Sequence, residues 1–167
     1  MTQSFSQSLF DKLLRLGDTL RQRQLTLATA ESCTGGGIAH AITAVPGSSD
    51  WFVGTMVTYS NEWKHKFLGV DNETLATYGA VSEQTVHEML RGLNERCGVP
   101  AGMAVSGIAG PGGGTPDKPV GTVVIGAFAP GWTCVKTMHY QGGREDVRNS
   151  TICDVIDLLY EGLATHH

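Results

Sequence analysis

Three absences in this chain each close off a class of function. It has no basic run, and twelve lysines and arginines against sixteen acidic residues leave a net charge of −4. The phosphate-neutralising patch that nucleic-acid binding needs is therefore missing. No apolar stretch approaches the roughly 20 residues of a membrane span, and the polar segment Met1 to Phe10 lacks a signal-peptide core. These features predict a cytoplasmic protein that engages neither nucleic acid nor membrane. Cys33, Cys97, Cys134 and Cys153 form no C-x-x-C pair, which predicts reduced thiols. His40, His65, His87 and His139 show no ligand spacing with one another or with the cysteines, so no metal is expected. Sequence signatures of common enzymes are absent too: no Walker loop, no G-x-G-x-x-G opening a helix, and no G-x-S-x-G elbow.

Glycine is what the chain has in excess. At 22 of 167 residues it is nearly twice its average share of about 7%. The excess is clustered at Gly35 to Gly37, Gly110 to Gly114 and Gly142-Gly143. Clustered glycine suggests backbone shaped around a ligand. The length suits one domain over residues 1–167 with one substantial core.

Hydrophobic spacing predicts the elements. Phe5, Leu9, Leu13, Leu16 and Leu20 recur every three or four residues and predict an amphipathic helix. Leu25 to Ala30 reads as a strand, and Thr34 is placed to cap a helix from about Gly35 to Val45. Trp51 to Tyr59 predicts a strand, followed by two short helices over Asn61 to Leu68 and Asn72 to Tyr78. Ser82 caps a longer helix with Val86, Met89, Leu90, Leu93 and Cys97 inward. Ala101 to Ser106 reads as a strand. Val120 to Ala129 and Thr133 to Tyr140 form a hairpin about Pro130-Gly131, and a last helix starts near Arg144 with Val147, Ile152, Val155, Leu159 and Leu163 inward. Early strands alternating with helices predict an α/β fold: a three-layer α/β/α sandwich with a mixed, mostly parallel sheet of about five strands.

Four clusters carry possible chemistry. Glu31-Ser32-Cys33-Thr34-Gly35-Gly36 stands where a strand turns into a helix, the usual place for ligands in α/β proteins. Ser32 could be a helix cap or a nucleophile, and a serine nucleophile needs a base. Tyr59 and Lys64 lie in a second cluster, Tyr59-Ser60-Asn61-Glu62-Trp63-Lys64. Five positions on one helix would separate them by about 140°, so they converge only across a strand-to-helix turn. The same spacing departs from the Tyr-x-x-x-Lys of nicotinamide-dependent reductases. Lowering a lysine pKa from about 10.4 to about 7.5 costs roughly 4 kcal/mol, which burial and a neighbouring cation can supply; Lys66 is the natural control. The third cluster, Ser106 through Gly107, Ala109, Gly110, Gly112 and Gly113 to Thr115, offers N–H groups to a phosphate or an oxyanion. The fourth, Gly142 to Arg148, places Arg144 and Arg148 on one helix face, as a phosphate seat or as surface ion pairs.

Taken in order, Ala30-Glu31-Ser32-Cys33-Thr34-Gly35-Gly36, Tyr59-Ser60-Asn61-Glu62-x-Lys64 with Leu68-Gly69-Val70, Gly79-Ala80-Val81-Ser82, Ser106-Gly107-Ile108-Ala109-Gly110-Pro111-x-Gly113-Gly114 and Lys118-Pro119-Val120-Gly121-Thr122-Val123 resemble the CinA C-terminal domain family. Stand-alone members of that family include nicotinamide-nucleotide amidohydrolases. The resemblance covers roughly residues 5 to 165. It implies an α/β/α fold and hydrolysis of the carboxamide of nicotinamide mononucleotide (NMN) to nicotinate mononucleotide and ammonia, without a cofactor. It also implies Ser32 as nucleophile, Lys64 as base and Tyr59 as their assistant. Candidate substrate-binding residues are Thr34, Gly35 and Gly36 in the first loop, Ser49, Asn61, then Ser106, Gly107, Ala109, Gly110, Gly112 and Gly113, and Arg144. Trp63 stands where the family commonly has a small residue, and Ser106 replaces a frequent threonine. A catalytically silent pyridine-nucleotide-binding module is the alternative. Three tryptophans in a short α/β unit would suit a homodimer.

Overall fold

The computed structural model describes residues 6–166. Its five strands are β1 (Leu27–Glu31), β2 (Phe52–Val57), β3 (Ala101–Gly107), β4 (Thr122–Ala129) and β5 (Trp132–His139), in one sheet of order β2-β1-β3-β4-β5. β1 pairs in parallel with β2 and with β3, while β3 with β4 and β4 with β5 are antiparallel. Four of the five strands therefore run in the same direction, and only β4 is reversed.

The helices are α1 (Gln7–Gln22), α2 (Gly37–Thr43), α3 (Asn61–Leu68), α4 (Asn72–Tyr78), α5 (Glu83–Cys97) and α6 (Arg144–Thr165). They cover both faces of the sheet. Leu9, Leu13, Leu16 and Leu20 of α1 are buried as their spacing requires, in one core with α2 and α6; Phe5 lies outside the described residues. α3, α4 and α5 close the second core through Leu68, Leu75, Val86, Met89, Leu90 and Leu93. The strands divide between the two cores with period two: Val123, Ile125 and Ala127 face the first, Val124 and Phe128 the second.

Two local departures from the predicted elements bear on the site. β1 runs one residue further, to Glu31, whose carbonyl accepts from the Thr58 N–H at 2.8 Å. The helix after it begins at Gly37 rather than Gly35, and Thr34 does not cap it. Gly36 occupies the cap position with φ +96°, a conformation that favours glycine. The Thr34 hydroxyl donates instead to the Glu31 carboxylate.

α3 and α5 cross so closely that a Cβ at Gly92 would overlap the Leu68 carbonyl. Backbone cannot yield there as a side chain would. Gly92→Ala is expected to cost about 2–3 kcal/mol and to push α3 outward. The check is a fall in melting temperature together with a fall in any activity that depends on Lys64, one turn before Leu68.

Candidate active site

The loops leaving β1 and β2 turn to opposite faces of the sheet, β1 into α2 and β2 into α3. Where neighbouring strands diverge in this way, a crevice opens at their carboxyl ends. Ser32 follows β1, Thr58 and Tyr59 follow β2, and Lys64 lies one turn into α3. Ser60 sets that register by capping α3, its hydroxyl accepting from the Trp63 N–H at 3.2 Å. Lys64 and Leu68 are then the buried residues of the helix, spaced i, i+4 on its inner face.

This brings Lys64 onto Ser32. The Lys64 Nζ lies 3.0 Å from the Ser32 Oγ and donates to the Thr58 carbonyl at 2.7 Å. Lys64 is 1% exposed and Ser32 8%. Burial lowers the lysine from its ordinary value of 10.5 to about 8, opposed only by the nearby Cys33. The sequence suggested a second cation as a contributor; burial alone accounts for the lowering here. Lys66, two residues on, is exposed beside the Phe67 ring. Cys33 is buried and its thiol is pushed up to about 11, chiefly by that burial. A thiol held that high is a poor source of thiolate at neutral pH.

Tyr59 hydrogen-bonds to neither partner of the pair. It is exposed, and its hydroxyl accepts from Arg144 Nη2 at 3.1 Å. Arg144 also donates through Nη1 to the Gly110 carbonyl at 2.8 Å. Its neighbour on the same face, Arg148, turns to a different loop and donates to the Thr34 carbonyl at 2.9 Å, with its Nε buried and without a partner. The first turns of α6 thus tie together the loops after β1, β2 and β3. Asp146 secures that end of α6 by accepting from the Gly143 N–H at 2.8 Å.

The remaining predicted residues divide. Thr34, Gly35 and Gly36 lie in the turn after Ser32, beside a cleft of about 220 Å³ between α2 and α6 that Arg148 also lines. Asn61 is exposed at the start of α3. Ala109 and Gly110 are buried and Gly112 and Gly113 exposed in the loop that leaves Gly107 at the end of β3. The Ser106 hydroxyl is engaged by the Ala80 carbonyl at 2.7 Å, a tie between β3 and the segment before α5. Ser49 stands apart. It lies in the short 3-10 turn Ser48–Asp50 leading into β2, at the amino-terminal edge of the sheet, the end opposite Ser32. Among the described residues no three His, Cys, Asp or Glu side chains gather as a metal site would need, and no helix is long and apolar enough to cross a membrane.

The CinA C-terminal domain model matches residues 11–163, nearly the whole chain. The chain belongs to the CinA C-terminal domain family. A competence-damage inducible protein of Moorella thermoacetica is 48% identical over 147 residues, 88% of this chain and 36% of the relative. A CinA-like protein of Kosmotoga olearia is 46% identical over 144 residues, 86% of this chain and 35% of its own length. This CinA domain thus spans about a third of the curated relatives it matches. The crystal structure of the competence/damage inducible protein CihA from Agrobacterium tumefaciens superposes with a TM-score of 0.93 at 39% identity, over 98% of this chain and 99% of that one.

Two participants in the CinA-domain site, Thr58 and Glu31, were given no role from the sequence. The Thr58 carbonyl acts through a contact that only the folded loops create, as does the Arg148 guanidinium, of which the spacing showed only the helix face it shares with Arg144. Glu31 did leave a signal: a lone carboxylate closing a strand of leucine, alanine and threonine, just before a run of glycines.

Proposed function

We propose that this protein hydrolyses the carboxamide of NMN to nicotinate mononucleotide and ammonia, with Ser32 as nucleophile and Lys64 as base. The observation that carries the reading is the buried amine of Lys64, 3.0 Å from the Ser32 hydroxyl and with its pKa lowered to about 8. At pH 7 about one molecule in ten then carries a neutral amine. Its N–H groups can satisfy the Thr58 carbonyl, while its lone pair points the other way, to the serine proton.

In the first half-reaction Ser32 Oγ attacks the carboxamide carbon and its proton passes to Lys64 Nζ. Lys64 returns that proton to the amide nitrogen, which leaves as ammonia and gives an ester on Ser32. Water attacks the ester, Lys64 takes a proton from it, and that proton goes back to Ser32 Oγ as the carboxylate departs. Arg144 and the Gly107 to Gly113 loop supply the cationic and N–H groups for the 5′-phosphate. Two of the five Arg144 N–H groups serve Gly110 and Tyr59, and the others remain to reach an anion. Tyr59, held by Arg144, orients the nucleotide end of the substrate.

The test is ammonia release from NMN beside nicotinamide riboside and nicotinamide. NMN is expected to be the efficient substrate, because only it carries the phosphate. The rate should fall about tenfold per pH unit below pH 8 and level off above it, since the base works only when neutral. Saturable NMN binding by calorimetry with no ammonia at high enzyme concentration would instead identify a silent binding module.

A further inference from the structure

The Glu31 carboxylate is fully buried, and five donors converge on it. Oε2 accepts from the Thr34 hydroxyl at 2.6 Å, the Gly36 N–H at 3.0 Å and the Ile38 N–H at 3.1 Å. Oε1 accepts from the Ala39 N–H at 2.9 Å and the Thr55 hydroxyl at 3.3 Å. The amino terminus of α2 is thus an anion site already filled by the protein's own side chain. A substrate oxyanion or phosphate cannot use those amides without displacing a buried carboxylate.

The other amides of the turn divide sharply. Gly35 N–H donates to the Ser32 carbonyl and Gly37 N–H to the Thr34 carbonyl, both at 3.0 Å. Among the described residues, the Cys33 and Thr34 N–H groups have no backbone carbonyl or Glu31 oxygen as acceptor, and the Cys33 N–H faces only the sulfur of its own side chain. They directly follow Ser32 in the chain. In serine hydrolases built on a strand-to-helix turn, the amide after the nucleophile is the one that receives the developing oxyanion.

We infer that Glu31 is a positioning residue: by taking up the amides of the first turn of α2 it shapes the Ser32 to Gly36 turn and leaves the Cys33 and Thr34 N–H groups to receive the oxyanion. This rests on the proposed amide hydrolysis. It assigns the oxyanion to the first loop and leaves the glycine-rich loop after β3 to the phosphate. It also gives position 33 a role through its backbone although its thiol has none.

Two measurements on the full chain test the inference. The first is amide hydrogen exchange by NMR with and without pyridine-3-boronic acid, which forms a tetrahedral adduct with a reactive serine. The Gly36, Ile38 and Ala39 amides should be protected in the free protein and unchanged by the boronate. The Cys33 and Thr34 amides should exchange quickly when free and slow at least tenfold in the adduct. Slowing confined to the Gly107 to Gly110 amides would overturn the assignment. The second is Glu31→Gln, which is expected to lower kcat for NMN about a hundredfold while KM stays within threefold and the acid limb stays near pH 8. An unchanged kcat, or a joint shift of kcat, KM and acid limb, would overturn the positioning role. If Glu31→Gln fails to fold, the exchange measurement on the unaltered protein decides. Absence of ammonia from the unaltered protein counts against the amidohydrolase reading instead, and the free-state exchange pattern still reports on Glu31.

Discussion

Replacing Ser32 by alanine is expected to reduce ammonia release from NMN by at least about a thousandfold, with little change in the fold. The serine hydroxyl is one of two acceptors for Lys64, and the Thr58 carbonyl at 2.7 Å remains to hold the amine when it is gone. No large cavity forms, so the melting temperature should move by only a few degrees. The paired control is Cys33→Ala. That change removes a buried sulfur from the first core and should cost about 1 kcal/mol, yet leave more than about half the activity. Calorimetric unfolding and an ammonia assay on both variants make the comparison. An inactive cysteine variant beside an active serine variant would transfer the nucleophile to Cys33.

The second large effect is a gain and a loss in one variant. Lys64→Met keeps an unbranched side chain, one heavy atom shorter, and removes the amine. Activity is expected to fall at least about a thousandfold, because Ser32 then has no base. Stability is expected to rise. In the folded protein the lysine has a pKa of about 8 against 10.5 for the free group. Between those values the unfolded chain holds the proton more firmly, so wild-type stability increases with pH across that window. Below pH 8 the whole penalty is present, roughly 3 kcal/mol by the size of the shift, and above about 10.5 it has vanished. The advantage of Lys64→Met over wild type should therefore be largest below pH 8 and shrink toward zero near pH 10.5. Denaturant unfolding at a series of pH values reads this directly. A methionine variant less stable than wild type at pH 7 would mean that the amine is not held in a desolvated site.

What the sequence showed of this fold, and what it concealed, follows from where each signal resides. The helices α1, α5 and α6 were legible because their buried stripes repeat every three or four residues, and the β4–β5 hairpin because Pro130-Gly131 interrupts two β-branched runs. The capping serines Ser60 and Ser82 act within three residues of themselves, a range that a linear reading covers. The start of α2 was misplaced because its cap is supplied from six residues before it, across a turn, by Glu31 rather than by the nearer Thr34. The Ser32 and Lys64 contact spans 32 positions and depends on β1 and β2 lying side by side. Their chemical types could be read from the chain; their meeting required the topology. Arg148 is the extreme case, reaching 114 positions back to the Thr34 carbonyl. Ser49 shows the converse: named as a substrate-binding candidate, it stands at the end of the sheet opposite Ser32.

The ties made by α6 have a consequence for biosynthesis. Arg144 and Arg148 fasten the loops that follow β1, β2 and β3, and α6 comes after all of those strands in chain order. Ser32 and Lys64 both precede β3 in chain order, so the loops that carry them are made well before their clasp. That clasp arrives only when the α6 segment leaves the ribosome. The order of synthesis thus leaves the loops around Ser32 and Lys64 unclasped until every strand of the sheet beneath them has been made.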